Sequence, residues 1–75
     1  MAKDNLYSVR TAPHNADPNL VYVGEAYPSS VASSGVWCIK RIDNTGGEDN
    51  TIVLYADGNT YFDNIWDDRE TLNYF

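Results

Sequence analysis

Short segments of apolar and β-branched residues alternate with clusters of turn-forming residues along this chain. Three segments are rich in strand-forming side chains, residues 20–26, 36–42 and 51–56, and a shorter alternating segment lies at 6–11. Alternation with a period of two places successive side chains on opposite faces of a strand. The pattern predicts a mainly β chain.

The clearest pair of predicted strands is 36–42 and 51–56, which are separated by the polar, glycine-containing loop 43–50. Such a loop between two strand patterns predicts an antiparallel hairpin. Within the first of these strands, Trp37 and Ile39 share a face and direct two large apolar side chains to the same side of the sheet.

The C-terminal segment predicts a helix. Asp63 is a good N-cap residue, and acidic side chains early in residues 64–70 suit the positive end of a helix dipole. Trp66 would then pack across the hairpin face that carries Trp37. The residues predicted to support the fold are Trp37, Ile39, Ile52, Leu54, Phe62, Ile65, Trp66 and Leu72.

These elements predict a small antiparallel sheet of about four or five strands, a barrel or a half-sandwich, closed by one short C-terminal helix. Residues 20–75 form this β domain, and residues 1–19, which contain two prolines, form an N-terminal arm that becomes ordered on assembly.

With 75 residues the chain is near the lower size limit for a domain that is stable alone. Cys38 is the single cysteine and His14 the single histidine, so neither an internal disulfide nor a structural zinc site can form. Support from partner subunits is therefore expected.

Charge and composition narrow the class of partner. Eleven acidic and five basic residues give a net charge of −6, which disfavours nucleic acid as a partner. The apolar runs are only a few residues long, so we expect no membrane span and no membrane partner. Aromatic residues make up 13% of the chain, a composition that suits strands and protein contact surfaces.

Candidate reactive groups are few, and each has a simpler structural interpretation. His14 lies in a proline-bounded loop without a nucleophile beside it, and Cys38 has apolar strand neighbours. The acids at 57–63 and 43–50 could hold a calcium ion, although turn formation and helix capping explain the same residues. We expect no enzyme activity, no catalytic residue, no metal site and no cofactor.

Contact with other proteins is the expected use of the exposed aromatic and apolar side chains. Tryptophans fit the core better than an interface, and tyrosines are typical of contacts. The predicted interface residues are Leu6, Tyr7, Val9, Tyr22, Tyr27, Tyr74 and Phe75.

The C-terminal half also resembles a known group of proteins. Ala56-Asp57-Gly58, followed by the run 62–67, Arg69, Leu72 and Tyr74, resembles a motif of short structural proteins of tailed bacteriophages. The upstream segments 22–26 and 36–42 fit the same pattern, so the resemblance covers roughly residues 20–75. Cys38, where the group usually has a basic or polar residue, and the additional acid Asp68 depart from it.

The resemblance implies a virion component, located on the tail, at the tail-fibre junction or on the head. It would be made in the host cytoplasm and would bind larger virion proteins in several symmetric copies. Two alternatives stay open. One is a carbohydrate-binding module for the host surface that uses exposed Tyr and Trp. The other is a small regulatory phage protein that binds a basic host partner.

Overall fold

The computed structural model describes residues 7–75, so Leu6 of the predicted interface lies outside the described residues. These described residues form five strands and two single turns of 3-10 helix. The strands are β1 (Ser8–Pro13), β2 (Leu20–Ala26), β3 (Gly35–Asp43), β4 (Ile52–Tyr55) and β5 (Asn64–Ile65), and the turns are Glu48–Asn50 and Trp66–Asp68.

All strand pairs are antiparallel, and the strands lie in the order β1-β2-β3-β4. The short β5 also pairs with β3, through Gly35 and Trp37, while β4 pairs with the other half of β3. The last residues of the chain return along β4, where Tyr55 and Phe75 exchange two backbone hydrogen bonds of 3.1 Å. The predicted mainly β fold with four or five antiparallel strands is confirmed, and the sheet is open rather than closed into a barrel.

The register of β2 on β3 defines a covered face of the sheet. Tyr22 lies opposite Arg41 and Gly24 opposite Ile39, so these side-chain positions point to the side that also carries Trp37. Trp37 and Ile39 are fully buried there, as the hydrophobic pattern predicts. The core therefore lies on one face of the sheet.

Residues 66–74 form the layer that covers this face. The Trp37 and Trp66 ring centroids are 5.9 Å apart, which confirms the predicted packing of Trp66 across the Trp37 face. Leu72 and Tyr74 pack against the same cluster. A hydrogen bond of 3.0 Å from Trp37 Nε1 to the Val31 carbonyl satisfies the buried indole donor.

The predicted two-turn helix is wrong in detail. Asn64 and Ile65 are strand residues, and only Trp66–Asp68 are helical, in one 3-10 turn that Asp63 does not cap. A helix of two turns has little stability of its own, so tertiary contacts decide the conformation. Here the pairing of Asn64 with Trp37 on β3, and the burial of Trp66, determine the backbone.

Two predicted core residues are instead exposed. Ile52 lies at the start of β4 and is 53% exposed, and Phe62 lies in the loop before β5 and is 37% exposed. Ala26 and Ala56 are completely buried, so small side chains occupy the core where these larger residues were expected. Within the predicted N-terminal arm 1–19, where a short strand is predicted at 6–11, Ser8–Pro13 form an edge strand that pairs with β2.

Candidate functional site

The second face of the sheet, here called the open face, points away from the covering layer. Its side chains are those that alternate with the core positions along each strand. They are Val9, Thr11 and Pro13 of β1, Val21, Val23 and Glu25 of β2, Val36, Cys38, Lys40 and Ile42 of β3, and Val53 and Tyr55 of β4. Val9 is 57% exposed and Val53 is 47% exposed, so apolar surface is in contact with solvent on this side.

One end of the open face is entirely apolar. Pro13 lies opposite Val21, Val21 opposite Ile42, and Ile42 opposite Val53, so four neighbouring strands contribute one apolar side chain each. We call this set the apolar row. Cross-strand neighbours on one face lie about 5 Å apart, so the row forms a continuous surface.

The other end of the open face carries an exposed aromatic cluster, formed by Tyr7, Tyr27 and Phe62. Ring centroids are 5.4 Å apart for Tyr7 and Tyr27, 5.3 Å for Tyr7 and Phe62, and 6.1 Å for Tyr27 and Phe62. At these distances the rings pack against one another and leave no space for a ligand between them. The cluster is therefore a packed, exposed aromatic surface. Along β2 it lies about 20 Å from the apolar row, at about 3.3 Å per residue.

The open face carries few charged side chains. Lys40 and Glu25 are the two charged side chains that the strands place there. The carboxylate of Asp63 lies near Cys38 at the edge of this face, whereas Asp67, Asp68 and Glu70 belong to the layer on the opposite face.

Cys38 lies on the open face between these charges and is 7% exposed. Burial raises the pKa of the Cys38 thiol, and the carboxylates of Glu25 and Asp63 raise it further, while Lys40 lowers it. A thiol in this environment stays protonated at neutral pH, which agrees with the interpretation of Cys38 as a structural residue.

The structure brings together three of the predicted interface residues. Tyr7, Val9 and Tyr27 all lie on the open face. Phe75 is 70% exposed but lies at the edge of the sheet beside β4, and Tyr74 is half-buried in the covering layer. These two residues are not part of the open face.

Tyr22 requires a correction. Its side chain is 2% exposed and belongs to the core cluster, so it cannot contact a partner. Its position on β2 is opposite Arg41, on the covered face, and the Tyr74 ring lies 5.6 Å away.

The sequence prediction did not identify Phe62, Val36 and Val53 as surface residues. The valines on both sides of Tyr22 were a usable signal, because a strand that is apolar on both faces indicates that each face is covered by something.

The arginines of the covered face serve packing. Arg10 lies over Trp37 at 5.5 Å, Arg41 over Tyr74 at 5.0 Å and Arg69 over Trp66 at 4.7 Å from the ring centroids. Stacked guanidinium groups cover aromatic rings with apolar contact, and the Nε atoms of Arg41 and Arg69 are buried there without a hydrogen-bond partner. This placement explains why three of the few basic residues support the core.

His14 and the acidic loops also have structural roles. The Nδ1 atom of His14 accepts a hydrogen bond of 2.9 Å from the Ala16 N–H, and Glu70 accepts one of 2.8 Å from the Asn15 N–H. Both contacts fix the loop between β1 and β2, the second by tying it to the covering layer. Hydrogen bonds from Thr45 hold the pKa of the Asp43 carboxyl below its usual range. Among residues 7–47 and 49–75, whose side chains the structure describes, no three His, Cys, Asp or Glu side chains are grouped as a metal site.

The pH dependence of stability tests whether the Tyr74 hydroxyl is buried in the covering layer. Burial raises the pKa of the Tyr74 hydroxyl, which donates a 2.8 Å hydrogen bond to the Arg69 carbonyl, and the nearby Tyr22 raises it further. A folded-state pKa above the unfolded value of about 10 gives a contribution to stability that is complete below pH 10 and is lost as the pH rises above it. Urea unfolding across that range should therefore show falling stability, with a shallower decline for Tyr74→Phe. Equal slopes for the two proteins would contradict the buried placement of this hydroxyl.

Comparisons with known proteins give no relative, since no family model, no curated protein and no solved structure matches this chain. The two helical segments within residues 7–75 are turns of three residues each, too short to cross a membrane.

Proposed function

We propose that this chain is a structural subunit of a tailed-phage virion that is held in its assembly through the open face. One observation carries the proposal. Six of the ten large hydrophobic side chains exposed in the described chain lie on this face. They are Tyr7, Val9, Tyr27, Val36, Val53 and Phe62.

Exposed apolar side chains scattered over a surface are ordinary, but a continuous group indicates a contact site. Burial of such apolar surface contributes a favourable free energy of about 25 cal/mol per Å². A chain of 75 residues has a small interior, so association adds a large fraction to its stability. The open face therefore offers apolar surface of the kind that protein contacts bury, and the small chain gains stability when a partner covers it.

The side chains capable of reaction support a structural role. The Cys38 thiol is held in its neutral form, and His14 is engaged by the Ala16 N–H. The setting in a virion rests on the sequence resemblance alone. The aromatic cluster supports a contact with another protein, because Tyr and Phe are enriched in protein interfaces.

The test is the protein content of purified particles of the phage that encodes the chain. Quantitative mass spectrometry should find the protein at a fixed ratio to the major capsid protein. A Tyr27→Ser variant should be incorporated at least about tenfold less, since a central aromatic contact is worth more than about 1.4 kcal/mol. Tyr61→Ser is the matched control, because Tyr61 is 66% exposed and lies outside the aromatic cluster. Absence of the wild-type protein from washed particles would refute the proposal.

Carbohydrate binding is a second candidate, favoured by the exposure of the aromatic cluster, since sugar rings pack on aromatic faces. The tryptophans cannot serve this function, because Trp37 and Trp66 are buried. Specific binding on a glycan array that Tyr27→Ser removes, together with absence from particles, would favour this candidate over the structural role.

A further inference from the structure

We propose that β1 pairs edge to edge with β1 of a second copy of this chain, antiparallel and around a two-fold axis at Arg10, so that two sheets become one. The surface involved is the outer edge of β1, which the proposed contact through the open face does not use. Dimerisation through this edge therefore goes beyond the proposed function, and each can fail without the other.

The hydrogen-bond pattern shows which backbone groups of β1 point outward. His14, directly after β1, donates a 2.7 Å bond to the Leu20 carbonyl, so these two residues form a bonded pair. Bonded and non-bonded pairs alternate along an antiparallel ladder, so Val9 and Thr11 direct their N–H and C=O groups away from β2. These groups line the outer edge and have no strand partner among residues 7–75.

Pro13 agrees with this assignment. A proline has no N–H, so within a sheet it occupies positions where its nitrogen points away from the neighbouring strand. Pro13 follows Val9 and Thr11 in the outward series and lies opposite Val21 in a non-bonded pair. The proline also limits the edge, because a strand that runs past it finds no donor there.

The opposite edge of the sheet is closed by the chain itself. Tyr55 of β4 is bonded to Phe75 through both of its outward groups, and the Asp57 N–H donates to the Asn73 carbonyl. β5 pairs with the other half of β3. Within residues 7–75, β1 is thus the one long free edge, and a molecule with one such edge forms a closed pair rather than a fibre.

The free groups select the register. With Arg10 opposite its own copy, Val9 of each chain lies opposite Thr11 of the other, and four backbone hydrogen bonds use all the outward groups of these residues. A two-fold axis at Thr11 would place Val9 opposite Pro13, which has no N–H to offer. An axis at Val9 would place Thr11 opposite Tyr7, which lies outside the strand. The axis at Arg10 leaves no outward group of Val9 or Thr11 unpaired.

This register also joins apolar surfaces that lie apart in one molecule. The two-fold axis is perpendicular to the sheet, so the open faces of both copies point to the same side. Pro13, at the end of the apolar row, comes beside Tyr7 of the second copy. The apolar row of each copy then continues into the aromatic cluster of the other, and the pair presents a larger apolar surface than one molecule does.

The charged side chains nearest the edge permit the pairing. Arg10 is the one charged residue of β1, and its guanidinium lies over the Trp37 ring at 5.5 Å from the centroid, which turns it inward across the sheet. Glu25 lies one strand inward on the open face. Three strand spacings and two residues separate it from its copy by about 16 Å, which is beyond the Debye length at physiological salt.

The other charges of the described residues lie on inner strands, in the covering layer or beyond the ends of the pairing strands. They include Asp17, Lys40, Arg41, Asp63, Arg69 and Glu70. Recognition is therefore by backbone hydrogen bonds, with no ion pair across the contact.

The expected dimer is weak, because two strands of six residues form a contact smaller than a standard stable interface. Sedimentation equilibrium of the whole chain should show a monomer–dimer equilibrium between about 10 μM and 1 mM.

Hydrogen exchange read residue by residue by NMR tests the edge directly. The amide protons of Val9 and Thr11 should exchange rapidly in dilute protein and severalfold more slowly as the concentration rises through the dimerisation range. The amide protons of Arg10 and Ala12 are internal controls, because they bond to β2 and should be protected at every concentration.

Thr11→Pro removes an outward N–H and leaves the bonds between β1 and β2 in place, because the residues on either side make them. It should weaken dimerisation at least about tenfold, since the symmetric contact loses two hydrogen bonds. Thr11→Val is the matched control, because it keeps both the N–H and a β-branched side chain, and it should dimerise like the wild type. Circular dichroism verifies the fold of both variants.

Disulfide formation tests the register in a Cys38→Ala background with oxidised glutathione. Arg10→Cys should give a covalent dimer, because the Cα atoms of this non-bonded pair would be about 4.5 Å apart. Thr11→Cys should not, because its Cα would lie about 8 Å from its own copy, too far for a disulfide.

Three results would each overturn dimerisation through β1: a wild-type protein that stays monomeric to about 1 mM, a dimer in which Val9 and Thr11 stay unprotected, or a disulfide through Thr11→Cys instead of Arg10→Cys. The proposed function is tested separately. Tyr27→Ser should leave the dimer intact while it lowers incorporation into particles, and absence of the wild-type protein from particles refutes the proposed function whatever its oligomeric state.

Discussion

Gly24→Ala is expected to destabilise the protein by about 3 kcal/mol, the upper part of the range for overpacking a core. The total stability of a small domain is about 5–15 kcal/mol, and a chain of this size lies toward the lower end. One methyl group should therefore remove a large part of the stability.

The reason is the close approach of two tryptophans to the backbone of β2. A Cβ atom at Gly24 would lie 2.5 Å from Cε3 and 2.6 Å from Cζ3 of Trp66, and 3.2 Å from Cε3 of Trp37. Both rings are buried, and rigid aromatic rings in a packed core cannot rotate away without displacing their neighbours. Glycine is required at this position to give the indole of Trp66 its place on the sheet.

Gly35→Ala provides the matched control, since it also lies in a strand but its Cβ would be 3.6 Å from the nearest atom, an ordinary contact. Urea denaturation followed by tryptophan fluorescence measures both variants. We expect the midpoint of Gly24→Ala to fall steeply and that of Gly35→Ala to change little. Similar midpoints for the two variants would show that Trp66 does not pack on Gly24.

Trp66→Ala is expected to cost about 4 kcal/mol, the usual loss for a buried Phe or Trp. Trp66 is 4% exposed, contacts Trp37 and carries the stacked guanidinium of Arg69. Its removal opens a cavity over β2 and removes the largest side chain through which the covering layer packs on the sheet. Part of the protein should be unfolded at 25 °C, which thermal denaturation monitored by circular dichroism will detect.

Tyr61→Ala removes an aromatic ring that is 66% exposed and should change the unfolding free energy by less than about 0.5 kcal/mol. Trp66→Phe keeps a smaller ring in the same space and should fall between the wild type and Trp66→Ala. If Trp66→Ala were as stable as Tyr61→Ala, the core described here would be incorrect.

The strands could be predicted because their signal is local. Alternation in β2 and β3, and the polar loop between β3 and β4, depend on neighbouring residues alone, and the predicted hairpin is found in the structure. The burial of Trp37 and Ile39 follows from the same alternation. These features need no knowledge of the rest of the chain.

The C-terminal segment was harder because distant partners determine it. Asp63 and the acids after it favour a helix locally, but β3 offers backbone hydrogen bonds to β5, and Gly24 offers space for Trp66. A short amphipathic sequence adopts whichever structure its tertiary contacts stabilise. The glycine in β2 was the signal for a close approach, and the sequence does not say which side chain approaches.

The candidate site was predicted in part. Tyr7, Val9 and Tyr27 were assigned to contacts from residue type, and the structure places them on one face. Tyr22 was misplaced because residue type alone does not distinguish the two faces of a strand. Phe62 joins the aromatic cluster through a loop conformation that no periodic pattern reports.

The packing of Trp66 against Gly24 also has a consequence for biosynthesis. The covering layer is made from the last of the described residues, while the strand it covers lies in the first half of the chain. During translation the sheet has no interior until residues 66–74 have emerged from the ribosome. Nascent chains would therefore expose both sides of the sheet at once, and productive folding should begin only after residues 66–74 have emerged, so a chaperone that shields the growing polypeptide would be most useful before that point.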